Sequence, residues 1–430
     1  MASEIFNIRS CAGKKWVLQL TRRLTLAKID QVTGYAPLEK RMRHIRLLLL
    51  ITLAVALQAA PGSAQSLDDL NIQIHGYATQ GFLYTTQNNI FTTSSSNGSP
   101  AWTEAVVNIT AQPIPKLRIG VQGRYFLLGN FGNAITLDWA AADYKANDQF
   151  GVRFGKVKTP SGLYNEIQDI DPSYMWSLLP QGIYPIVSRN SLLAHYGGVV
   201  YGTLKLGQNM GKLEYRGWGG ERVLSSDDGY FVSQREGGLN LPNGLNGVTM
   251  GAAIHWRTPL PGLMIGASNG KDQQWSSTLT AGGGALTGAE TLKPFNLPDF
   301  FARYEKDKLL LAGEWNRLPV TGALTFTGLP ASPVKVDQRA WFGMASYKVT
   351  DKFTFGVYDS QSVDHQAALG APRHSLDWAI SGRYDFNQFL YAKAEQHFIA
   401  GTEIGYDTAL NPHGLQPNTK LTILKLGVSF

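Results

Sequence analysis

The ten residues that close the sequence, Leu421 to Phe430 (LTILKLGVSF), constrain the fold more than any other stretch. Leu424, Leu426, Val428 and Phe430 alternate with Ile423, Lys425, Gly427 and Ser429. Alternation at period two describes a strand with one apolar face. Terminal residues fray unless something ties them down. A strand in this place calls for a partner, and a closed barrel supplies one, because its last strand must pair with its first to remove both sheet edges.

Near the other end, Met42-Arg43-His44-Ile45-Arg46 leads into an apolar run from Leu47 to Leu57, broken only by Thr52. Small residues at Gly62 and Ala64 follow. A basic n-region, a short apolar h-region and small residues together read as a secretory signal peptide cut after Ala64. A membrane-spanning helix needs ~20 apolar residues, more than this run holds. No cysteine follows the cut, which argues against a lipoprotein anchor. The expected organisation is therefore an over-extended N-terminus over residues 1–41, a signal peptide over 42–64 and a mature domain over 65–430.

That division changes the charge. The whole chain carries a formal net charge of +7, with 39 Lys/Arg and 32 Asp/Glu. Ten of those bases and three of those acids lie in residues 1–64, so the mature chain holds 29 of each. A nucleic-acid partner would need a basic footprint, and the mature chain has no net one. Cys11 is the only cysteine, so no disulfide is available after cleavage.

Along the mature chain no run of 18 apolar residues occurs, which excludes membrane helices. Segments of about ten alternating residues recur between turns, the pattern of a transmembrane barrel. Ala105, Val107, Ile109 and Ala111 alternate with Glu104, Val106, Asn108 and Thr110. After Pro113–Lys116, Leu117, Ile119, Val121, Gly123 and Tyr125 alternate with Arg118, Gly120, Gln122 and Arg124. About sixteen strands follow from this reading, starting near residues 71, 102, 117, 134, 149, 193, 212, 247, 262, 298, 308, 338, 352, 375, 388 and 420. Turns after even-numbered strands are short. Those after odd-numbered strands are mostly long and polar, at 85–101, 220–246, 270–297, 318–337, 361–374 and 399–419. Tyr77, Trp102, Tyr125, Tyr144, Phe150, Trp256, Phe353, Tyr384 and Phe389 lie near strand ends, where interfacial aromatic girdles sit.

Sixteen strands, short turns on one rim and a terminal Phe430 resemble the Gram-negative general and substrate-selective porins. Phe154-Gly155-Lys156-Val157-Lys158-Thr159-Pro160-Ser161-Gly162-Leu163-Tyr164 is similar to the porin passage where strand five runs into its loop. The resemblance implies an all-β, transmembrane antiparallel barrel in the outer membrane, surrounded by its lipid and assembled as a homotrimer. It also implies a passive channel for small hydrophilic solutes and ions, with the fifth loop folded into the lumen. Here that connection covers roughly 158–192, and it is too apolar and aromatic for disorder. Its acids Glu166, Asp169 and Asp171 would face wall arginines Arg118, Arg124, Arg153, Arg216 and Arg383 across a charged constriction. Opposed charges in a narrow low-dielectric pore discriminate ions by sign. For any one arginine, pairing with Asp138, Glu214 or Asp377 on neighbouring strands is an equal reading.

Tyr164, Tyr174, Trp176 and Tyr184 in the same loop could stack on a sugar or an aromatic acid, which leaves a substrate-selective channel, phosphate included, as the alternative. Anchoring the loop is the plainer task for those rings. An outer-membrane hydrolase or an adhesion barrel ranks lower. His374-Ser375 is the only adjacent His/Ser pair, and consecutive strand residues face opposite sides. No enzyme activity, cofactor or metal is expected. The histidines are scattered, and Asp169/Asp171 and Asp227/Asp228 are read as turn residues rather than calcium ligands.

Overall fold

In a computed structural model, residues 70–224, 228–406 and 408–430 are described. The residues expected to form an over-extended N-terminus and a signal peptide, and Asp227, lie outside the described residues. Alternation becomes sixteen wall strands: β1 (Gln73–Thr85), β2 (Ser99–Ile114), β3 (Leu117–Leu128), β4 (Phe131–Lys145), β5 (Gly151–Lys158), β6 (Ala194–Lys205), β7 (Lys212–Leu224) and β8 (Leu245–Arg257). The ring continues through β9 (Leu263–Ala281), β10 (Leu286–Leu292 and Phe295–Lys306), β11 (Leu309–Phe326), β12 (Ser332–Lys348), β13 (Phe353–Asp364), β14 (His374–Asp385), β15 (Leu390–Gly401) and β16 (Asn418–Ser429). Strand β10 is interrupted at Lys293-Pro294, and both pieces pair with β9 and β11. A two-residue strand, Leu239–Asn240, is added against the top of β9.

Each strand pairs antiparallel with its sequence neighbours, and β1 pairs with β16 from Tyr77↔Ser429 to Thr85↔Leu421. Gly76 and Phe430 exchange two backbone hydrogen bonds of 3.0 Å, which carries the closure to the last residue. Among the described residues no wall strand is left with a free edge to template association.

The two faces of the wall separate as the alternation requires. On β16, Leu424, Leu426 and Val428 point outward and are exposed, while Leu421, Ile423 and Lys425 point inward and are buried. Trp378 and Ile380 on β14, Phe355 on β13 and Ile254 and Trp256 on β8 join the same outer surface. An apolar exterior of this extent suits hydrocarbon rather than water.

Two expected loops are shorter than the sequence reading made them. The stretch 270–297 is mostly ladder, because β9 runs on to Ala281 and β10 begins at Leu286. The stretch 318–337 likewise shrinks to the link between β11 and β12. Both are rich in Thr and Leu, and the second also in Val, and the β-branched residues among them fit a pleated surface even beyond the apolar band. The connection after β3 is a tight Gly129-Asn130 turn, with Gly129 at φ +60° as such a turn demands.

A further departure concerns the lumen. Ala340, Phe342 and Met344 on β12 face inward although they are apolar, so this strand is apolar on both faces. Leu83, Trp102, Phe126, Leu128, Ile399, Leu421 and Ile423 form a second apolar cluster inside the ring. Strict alternation fails there because a loop of the chain packs on the inward face.

Candidate pore site: the loop across the lumen

The connection between β5 and β6 runs inward, bearing short helical turns at Asp171–Ser173 and Ile186–Ser188 and a five-residue helix, α1 (Arg189–Leu193). Gly162 opens it in the left-handed region at φ +66°. A Cβ here would press on the Glu314 carboxylate and the Tyr184 hydroxyl in a backbone conformation that strains any L side chain, so glycine suits this close approach to the β11 wall. The Gly162 N–H donates to Ser268 Oγ at 3.1 Å and the Leu163 N–H to Glu314 Oε1 at 3.2 Å. The Tyr184 hydroxyl completes this anchor, 2.7 Å from either Glu314 oxygen.

An apolar seat lies beside it. Tyr164, Met175, Trp176, Leu179, Ile183 and Tyr184 pack on Ala312, Ala340, Phe342, Met344, Tyr358 and Ala379. Trp176 meets Tyr358 edge-on at 5.0 Å, and Tyr164 meets Tyr184 at 5.9 Å. Tyr174 reaches the β15 wall, with the Lys393 ammonium 4.8 Å from its ring. All four aromatic residues singled out for solute stacking thus hold the loop to the wall. Tyr164, Trp176 and Tyr184 are buried there, and Tyr174 is half-buried.

Polar anchors fix the remaining sides. The Tyr77 hydroxyl donates to the Asp169 carbonyl at 3.1 Å, and Gln122 on β3 donates to Asp169 Oδ2 at 2.8 Å. Arg189 of α1 makes a bidentate pair with Asp138 on β4, at 3.0 and 2.8 Å. Glu395 on β15 accepts the Ser177 N–H at 2.6 Å and the Leu178 N–H at 3.1 Å. In a sixteen-strand ring β3 and β11 are diametrically opposed, and the loop bonds to both. It therefore bridges the lumen instead of narrowing it from one side.

The three loop acids have different surroundings. Glu166, part-exposed to the lumen, lies between two wall arginines: Arg153 Nη1 at 3.1 Å and Arg216 Nε at 3.2 Å. Asp169 is fully buried and pairs with Lys158 at 2.7 Å. Asp171 is buried between Lys393 and Lys425, 2.9 and 2.6 Å away, and the Tyr391 hydroxyl donates to it at 2.7 Å. Burial opposes the charge on Asp171, yet the two ammoniums outweigh it and hold this carboxyl well below the ordinary aspartate range.

Of the wall arginines, Arg153 and Arg216 meet the loop's acids. Arg383 donates instead to the carbonyls of Pro172 and Tyr174, at 2.7 and 3.0 Å, and pairs with Asp385. Arg124 is buried and pairs with Glu104 at 2.5 Å, reaching the loop only at Asn190 Oδ1, 3.3 Å away. Arg118 donates to Thr110 Oγ1 at 3.2 Å on its own wall. Arg216 also pairs with Glu214 at 3.2 Å. Glu214 thus takes one of these arginines, as the alternative pairing has it, whereas Asp138 takes Arg189 and Asp377 takes His397 Nδ1 at 3.0 Å.

Lys158, Arg189, Glu314, Lys393, Glu395 and Lys425 were not singled out from the sequence. Their parity carried a usable signal, since Lys393, Glu395 and Lys425 all fall on inward positions of alternating strands. What alternation omits is register. Lys393 lies directly opposite Lys425 across β15 and β16, and nothing in either segment alone says so.

No family model matches the sequence, and no curated protein does. Solved structures match the fold. OmpF of Salmonella typhi superposes with a TM-score of 0.53 at 12% identity, over 85% of this chain and 99% of that one. An anion-selective porin of Comamonas acidovorans gives 0.50 at 10% identity, over 84% and 99%. The chain has the porin fold. Like the Gram-negative porins it is a closed antiparallel barrel, and the match covers most of both chains. At 10–12% identity the similarity is one of architecture and carries no residue roles across.

Proposed function

We infer that this porin-fold barrel is a passive outer-membrane channel for small hydrophilic solutes and ions. The observation that carries the reading is a closed barrel with an apolar exterior whose polar lumen is bridged by a loop held through noncovalent contacts alone. Such a loop is displaceable, and displacing it opens a water-lined path without any chemical step. Ion preference arises where water reaches the loop, at Glu166 between Arg153 and Arg216, with Arg383 and Arg118 adding positive charge along the wall. Asp169 and Asp171 serve as latches rather than as water-facing charges, and Arg124 serves the wall.

On this reading residues 42–64 direct export and are removed, residues 1–41 precede the true start, and membrane lipid contacts the outer band of the mature domain. Three copies associate through their barrel walls. The packed loop aromatics favour a general solute range over sugar stacking.

The test is single-channel recording of residues 65–430 refolded from detergent into a planar bilayer under a salt gradient, beside a variant lacking residues 163–185. Ohmic steps that grow on deletion of the loop support the reading. A folded, loop-deleted barrel that stays silent refutes it.

A further inference from the structure

Two lysines that face each other across an antiparallel pair repel unless something bridges them. Lys393 and Lys425 are such a pair, both buried inside the barrel, and a single carboxylate from the loop bridges them. Asp171 Oδ2 accepts from Lys393 at 2.9 Å and from the Tyr391 hydroxyl at 2.7 Å, and Oδ1 accepts from Lys425 at 2.6 Å. The Lys425 ammonium also lies 4.1 Å from the Trp102 ring centroid, and the Arg383 guanidinium lies 4.6 Å from that of Tyr391. Every donor in this arrangement belongs to the barrel wall. The acceptors are all carried on the loop: besides the Asp171 carboxylate, the carbonyls of Asp171 and Trp176 each accept from Lys393 at 2.8 Å.

We propose that the wall donors Lys393, Lys425 and Tyr391 form a binding site for a small carboxylate or phosphate anion, and that Asp171 occupies it as a tethered stand-in while the loop is closed. The geometry supports this in two ways. Both carboxylate oxygens are engaged, as in recognition of a free carboxylate. With Asp171 withdrawn, the site keeps two ammoniums and the neighbouring Arg383 guanidinium, itself paired with Asp385, and among the described residues no wall carboxylate is bonded to either lysine. An entering anion and Asp171 compete for one position, so anion binding and loop displacement are the same event. The channel would then favour anionic solutes and open in their presence. This rests on the channel reading above and adds its substrate class.

Titration calorimetry on the folded chain in detergent tests the site without requiring conduction, with succinate as probe, phosphate as second anion and 1,4-butanediol as neutral control. A tethered competitor acts at an effective concentration in the millimolar range, so Asp171→Ala should bind succinate about tenfold or more tighter than the wild type. Asp171→Glu, which keeps the competing charge, should remain near the wild type. Lys393→Gln with Lys425→Gln should bind neither anion. Equal affinities in wild type and Asp171→Ala, or succinate binding that survives loss of both lysines, would overturn the proposal. Should Asp171→Ala fail to fold, wild type against the double lysine variant still decides. A silent loop-deleted barrel would sink the channel reading while leaving this binding result intact.

Discussion

Glu395→Gln is the substitution that most directly weighs the loop's hold on the wall. Glu395 is 3% exposed and accepts three hydrogen bonds: Ser177 N–H at 2.6 Å, Leu178 N–H at 3.1 Å and His397 Nε2 at 3.2 Å. Glutamine keeps the shape and one acceptor oxygen but turns the other into an amide that faces donors. At least one charge-assisted bond is lost, worth about 1.5–3 kcal/mol. If the barrel itself is unaffected, that energy falls on the closed loop, and its open-to-closed ratio rises by about 10- to 150-fold. Recordings in planar bilayers read the ratio as the fraction of time at the higher conductance. A heat-modifiable band on a gel confirms that the barrel is folded. An open fraction equal to the wild type in a folded Glu395→Gln barrel would show that the Ser177–Leu178 anchor does not hold the loop shut.

Four further outcomes are expected. Gly162→Ala places a methyl against Glu314 and demands φ +66° of an L-residue, so the loop's first anchor should detach and conductance rise while the barrel melts normally. Arg124→Ala leaves Glu104 buried without its partner and should lower barrel stability by about 3–5 kcal/mol, read by urea unfolding, with little change of reversal potential. Glu166→Gln removes the one water-facing acid between Arg153 and Arg216 and should move the reversal potential toward anions; a shift toward cations would contradict that placement. The pH dependence of the Asp171 latch follows from the direction of its shift. Its pKa is lower in the closed state than the ~3.9 of a free aspartate, so its contribution is complete above about pH 4. That contribution drains only as the pH falls through the lowered value, and an open fraction that climbed already between neutrality and pH 5 would argue against it.

Much of the ring was legible in the alternation, since a strand with lipid on one side and lumen on the other must change character at every residue. The terminal segment 421–430 read as a closing strand, and β16 does pair with β1. The loop after β5 was legible as lumen-bound because its apolar and aromatic residues needed a surface to pack on, and the β11–β14 wall is that surface. Ala340, Phe342 and Met344 marked the seat by being apolar on the inward parity, a signal hidden among outward apolar neighbours.

Tertiary structure alone decided which charges meet. Glu166, Asp169 and Asp171 are spaced within six residues, yet one faces arginines on β5 and β7, one is buried against Lys158, and one bridges Lys393 and Lys425 some 220 and 250 residues away. Period-two alternation assigns each residue a side of the wall, which is local information. Height on the wall and position around the ring depend on strand register and on closure, which every strand settles jointly. The sequence by itself therefore determined a barrel with a loop inside it, while the pairing of charges that latches the loop came from the closed ring.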